Sequence, residues 1–124
     1  MNATVSDRRQ RRSDHHGTAL RYQLDSTLRR GRMAALALTD DAGMLLAWAG
    51  DDGLCKELGT IAPVVAHGWP PDLPAAKLKP EDVAVRPIEC FGESLYLASL
   101  GGGVARDALL AHSARGIHRI LTAN

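Results

Sequence analysis

The sequence predicts an α+β domain, a three-layer-like α/β sandwich with helices packed on an antiparallel sheet of four to five strands, in the order α-β-β-α-β-β-α. Three observations predict it. Two short apolar runs flank an Asp-Gly turn between Met33 and Ala49, an amphipathic segment of helical period follows at once, and the same theme of hairpin then helix recurs between Val83 and Leu121. A chain of 124 residues is one domain's worth, so a single unit over 14–124 is expected.

Residues 14–31 suit a first helix. Asp14 can cap it, Leu20, Leu24 and Leu28 recur at i, i+4 and i+8, and Gly31 stops it. Met33–Thr39 and Met44–Ala49 read as strands joined by Asp40-Asp41-Ala42-Gly43, where Asp and Gly supply the local hydrogen bonding and positive φ of a hairpin turn. Both runs are nearly continuous in apolar residues, which predicts a sheet covered on both faces or placed at an interface.

The second helix begins near Asp51 or Asp52, whose carboxylates suit the positive end of a helix dipole. Leu54, Leu58, Ile61, Ala62 and Val65 then trace one face. Pro63 lies inside this helix, and its ring falls toward Gly59, where a missing side chain reduces crowding and a kink is expected. Residues 68–82 hold four of the six prolines without a period of either kind and read as a connector, pinned to the body by Trp69 and Leu73. Val83–Cys90 and Ser94–Leu100 form a second hairpin around Phe91-Gly92. Pro87 and the shifted alternation across Arg86-Pro87 predict an edge strand with a bulge. Val104–Leu121 closes the chain as a helix with Leu110, Ala114, Ile117 and Leu121 on its buried stripe.

Charge is unevenly placed. Residues 1–33 carry eight Arg against three Asp, and the remainder carries seven basic and eleven acidic residues. The segment 1–13, with Arg8, Arg9, Arg11 and Arg12, is expected to be a disordered basic arm. It serves either as a solubilising tail or as a contact to nucleic acid or an anionic membrane. No apolar run approaches the length of a membrane span and no secretory leader is apparent, so a cytoplasmic location is expected. Cys55 and Cys90 have no metal or disulfide spacing and read as reduced, partly buried thiols.

With this element order, and with LTDDAGMLLAWAG followed by LCKELGTIAPVVA, the chain resembles the Roadblock/dynein light chain family, bacterial type, over residues 18–122. The usual family fold has five strands, and the Pro-rich connector occupies the place where part of another would lie. The resemblance implies a homodimer whose sheets join edge to edge while the second helices pack together. It further implies a platform for a small Ras-like GTPase or a larger protein scaffold, and bacterial relatives regulate polarity and motility GTPases. Leu54, Leu58, Ile61 and Val65 are then candidates for a dimer or partner interface, their other reading being ordinary core. Two further functional readings are a tethering module that touches no nucleotide cycle, and a small GAF/PAS-like ligand-sensing domain.

The remaining constellations argue against catalysis by the chain alone. Gly101-Gly102-Gly103 between a strand and a helix could cradle an anion through Gly102, Gly103 and Arg106, but neither the Walker nor the GxGxxG pattern is completed. His112, Arg115, His118 and Arg119 read as a solvated basic face, because the histidines are six apart and a helical metal pair needs four. No Ser or Cys lies in a nucleophile motif, and Glu89 and Glu93 read as turn carboxylates. No metal, no cofactor and no enzymatic activity are expected. Should a GTPase partner need an arginine finger, Arg86, Arg106 and Arg115 are the candidates.

Overall fold

The computed structural model describes residues 3–73 and 78–123, with side chains from 16 onward. Its elements are α1 (Ala3–Gly31), β1 (Met33–Thr39), β2 (Leu45–Gly50), α2 (Asp52–Val65), β3 (Val83–Cys90), β4 (Glu93–Gly101) and α3 (Arg106–Thr122), with a short 3-10 turn at Pro80–Asp82 leading into β3. The order is the predicted α-β-β-α-β-β-α. Four antiparallel strands form one sheet in the order β2-β1-β4-β3. The two hairpins are joined by β1 pairing with β4, which leaves β2 and β3 as edges.

Alternation along the central strands sorts their side chains into two cores. Leu36, Leu38, Leu95 and Leu97 face α1 and α3, whereas Ala35, Ala37, Tyr96 and Ala98 face α2. Both faces are therefore covered, and β1 is buried from Ala35 through Thr39. This is the physical reason for its unbroken apolar run. The α2 face is rich in alanine, so the helix approaches closely, and a Cβ added at Gly59 would stand 2.8 Å from Leu45 Cδ2. In the other layer Gly31 faces Leu109 and Gly116 faces Gln23, so α1 and α3 run antiparallel. The predicted stripes meet the sheet there, with Leu20, Leu24, Leu110, Ala114 and Ile117 buried and Leu28 and Leu121 packed against them.

Several details differ from the sequence reading. Helix α1 starts at Ala3 and not at Asp14, so a helical backbone occupies most of the span expected to be a disordered arm. Between Ala3 and His16 the chain has no Pro or Gly to stop a helix, and Arg and Gln favour one. The side chains of Arg8, Arg9, Arg11, Arg12 and Asp14 lie outside those described. Strand β3 is an edge, as expected, yet its register with β4 is unbroken from Val83↔Leu100 to Cys90↔Glu93, with no bulge at Pro87. Pro87 sits opposite Tyr96 and needs no bulge, because an edge strand has no partner to receive a donor on its open side. Irregularities occur instead at Leu38/Thr39 and Met33/Ala35 on β1. Helix α2 continues through Gly59 and Pro63 to Val65. In the described part of the connector no strand forms, and Trp69 and Leu73 pack against the α2-side core as expected.

The first hairpin turn is held by one carboxylate. Asp40 Oδ1 accepts the backbone N–H groups of Ala42 and Met44, each at 2.9 Å, and the Thr39 hydroxyl donates to the Met44 carbonyl at 2.8 Å. Asp40→Ala removes the acceptor for two turn donors. It is expected to lower the unfolding free energy by about 1–2 kcal/mol, read from urea denaturation, with Asp40→Asn recovering part of the loss.

Candidate partner-binding surfaces

Helix α2 starts where it does because Asp51 caps it, its carboxylate accepting the Leu54 N–H at 2.9 Å. Asp52 stands in the first turn and accepts the indole N–H of Trp48 at 2.9 Å, tying the helix start to the end of β2. The inner side carries Cys55, Leu58, Ile61 and Ala62, all buried. Leu58 and Ile61, expected at an interface, thus lie within the protomer's own core beside Ala35, Ala37, Tyr96 and Ala98. Small strand residues on this face leave space that only large helix residues fill, so the apolar stripe is required inside one chain. Leu54 and Val65 are half-buried at the margin of the same cluster.

What α2 presents outward is its opposite side, where Lys56, Thr60 and Val64 are exposed. Beside it along the open edge of β2, Leu46 is 42% and Trp48 41% exposed. Sequence periodicity pointed at the stripe and passed over this strip. The signal was its complement, an apolar Val64 standing off the stripe of an otherwise well-sorted helix.

Cys55 is enclosed between α2 and the sheet, its Sγ 3.2 Å from the Ala49 carbonyl oxygen. Burial pushes its thiol pKa up, and the charges of Asp52 and Asp51 add to the rise. Cys90 shifts the same way through burial and then Glu93. A raised pKa means that the folded state favours the neutral thiol. The associated stability is fully present below the unfolded thiol's pKa, about 8.5, and is lost as pH rises through the folded value. Urea midpoints are therefore expected to fall above about pH 8.5, and to fall less steeply in Cys55→Ala.

Where the two hairpin turns meet, Asp40, Asp41, Ala42 and Gly92–Leu95 line an open acidic depression. The Tyr96 hydroxyl donates to Asp41 at 3.2 Å, and burial followed by that carboxylate raises the phenol pKa. Glu89 accepts the Ser94 hydroxyl at 2.7 Å, which gives it a structural partner across the second turn.

After the glycine-rich segment before α3, Arg106 is turned toward protein partners. Its guanidinium donates to the Glu81 carbonyl at 3.3 Å and lies 3.6 Å from Asp107, while its stem packs on Gly102. Gly103 itself accepts the Arg106 backbone N–H at 3.0 Å. Of the other finger candidates, Arg86 is exposed on edge strand β3 and Arg115 on α3. His112, Arg115, His118 and Arg119 line a shallow surface depression on α3. Among the described residues no group of three or more His, Cys, Asp or Glu side chains could hold a metal ion, and no helix is long and apolar enough to cross a membrane.

No family model matches the chain, and no curated protein matches its sequence. Solved structures do. MglB of Myxococcus xanthus superposes with a TM-score of 0.56 at 10% identity, over 84% of this chain and 88% of that one. A structure of MglB with tetrameric arrangement gives a TM-score of 0.61 at 15% identity, over 86% and 90% of the two chains. The fold of this chain is that of a Roadblock-like domain, with the α+β architecture and element order expected from the sequence.

Proposed function

We propose that the chain is a cytoplasmic, non-catalytic dimerisation and scaffold module that binds and regulates a small Ras-like GTPase. The observation that carries this reading is the fold: a Roadblock-like arrangement over most of the chain, with α2 and part of the connector on one face of the sheet and the outer side of α2 exposed among the described residues. The proposed contact strip is Lys56, Thr60 and Val64 on α2 with Leu46 and Trp48 on the neighbouring edge, bordered by Leu54 and Val65. It combines half-exposed apolar groups with a polar rim, the composition of a modest protein interface. Trp48 is suited to such a site because its indole N–H is already satisfied by Asp52, so its ring can be covered without stranding a donor.

Regulation in this reading works by holding the GTPase's own groups in place. Arg106 donates to the Glu81 carbonyl and lies 3.6 Å from Asp107, partners it would have to leave to act as a finger. The test is a pull-down of the Ras-like GTPases of the same cell, each loaded with GDP or with a non-hydrolysable GTP analogue. Capture that depends on the nucleotide supports the reading, and equal or absent capture overturns it. Capture with hydrolysis left unchanged would assign the chain to the tethering reading instead.

A further inference from the structure

The charges of this chain are segregated by layer. From residue 16 onward the sequence has twelve acidic residues, and only Asp25 and Asp107 lie on α1 or α3. The others stand in the hairpin turns, on α2 and its cap, in the connector and along the second hairpin. Both exceptions are already matched, Asp25 by Arg29 and Asp107 by Arg106. Against them the outer side of the α1/α3 layer exposes Arg30, His112, Arg115, His118 and Arg119, and Arg21 stands at its flank, lining a depression with Tyr22, Asp25 and Trp48. None of these four arginines forms an ion pair among the described residues.

We infer that the outer face of the α1/α3 layer is a docking surface for an anionic lipid membrane. Charge complementarity selects a polyanion, and shape selects its form. Over residues 16–31 of α1 and 106–122 of α3 the two helices lie side by side on the sheet, each with its apolar stripe turned inward, so the cations of this part stand on a broad face rather than along one helix that could enter a major groove. Single-stranded nucleic acid would need a series of aromatic platforms, and the described part of this face carries Tyr22 alone. A plane of anionic headgroups meets several dispersed cations at once, each adding a small, salt-sensitive increment. Docked this way, the acidic side with α2 points away from the membrane and stays accessible. Membrane docking at this face does not require GTPase binding.

Co-sedimentation of the full chain with vesicles tests it. Vesicles of phosphatidylglycerol and phosphatidylcholine are expected to retain at least about tenfold more protein than phosphatidylcholine alone at low salt, with the difference lost by about 0.3 M salt. Arg115→Glu with Arg119→Glu should reduce retention at least about fivefold while circular dichroism and melting stay unchanged, and Arg115→Gln with Arg119→Gln should fall between. Lys79→Glu, away from this layer, should leave retention as it was. Equal retention on neutral and anionic vesicles, or none on either, overturns the inference. So does tighter binding to duplex DNA than to vesicles at the same salt. Retention abolished by deleting residues 1–13 yet untouched by the α3 charge reversals would also overturn it, by assigning the contact to the N-terminal segment alone.

Discussion

Leu58→Ala is expected to lower the unfolding free energy by about 3 kcal/mol, within the range for a fully buried leucine. Leu58 is 0% exposed and packs from α2 onto a sheet face built from Ala35, Ala37, Ala98 and Tyr96. The three alanines have no side chain that could swing into the vacated volume, and Tyr96 is held by its hydrogen bond to Asp41, so the cavity persists in large part. Equilibrium denaturation at several protein concentrations measures both the size of the loss and its origin. A core residue gives the same loss at every concentration. Were Leu58 instead closing a contact between two chains, the loss would shrink on dilution, and its assignment to the protomer core would be wrong.

Gly50→Ala has the second large effect, about 3–5 kcal/mol, from two backbone terms that add. Gly50 ends β2 at φ +98°, a region that side-chain-bearing residues rarely adopt. A Cβ there would also stand 2.5 Å from the Ala34 carbonyl oxygen and 3.0 Å from the Ala35 Cα. Backbone atoms of a central strand cannot move aside as a flexible side chain can. Since a domain of this size has only some 5–15 kcal/mol of stability, the variant should unfold at much lower urea or accumulate poorly. A midpoint equal to that of the parent chain would show that the β2–α2 junction is looser than described.

Much of this architecture is legible in the residues. The Asp40–Gly43 and Phe91–Gly92 turns, the four strands and three helices, and the inward stripes of α1 and α3 follow from period and turn chemistry. Partner assignment was harder to read, because an apolar stripe looks the same whether it meets its own sheet or another chain. Within the chain, Leu58 and Ile61 pack on a strand face lined with alanines, and strand faces depend on a register no local pattern reveals. The bulge expected at Pro87 was misplaced for a related reason. Local alternation records that a strand is irregular in exposure, whereas the actual register shifts lie on β1, between its two partners. The basic face on α3 was legible from spacing, but its joining with the arginines of α1 required the antiparallel packing of the two helices.

Recognition of a small Ras-like GTPase, the proposed role of this domain, is tested by calorimetric titration of the chain with such a GTPase from the same cell, loaded in turn with GDP and with a non-hydrolysable GTP analogue. Saturable binding is expected, to one nucleotide state at least about tenfold tighter than to the other, a difference of about 1.4 kcal/mol, and weakened when Trp48 or Val64 is replaced by a charged residue. Titrations without heat for every such GTPase, or with equal affinity for both nucleotide states, would contradict it.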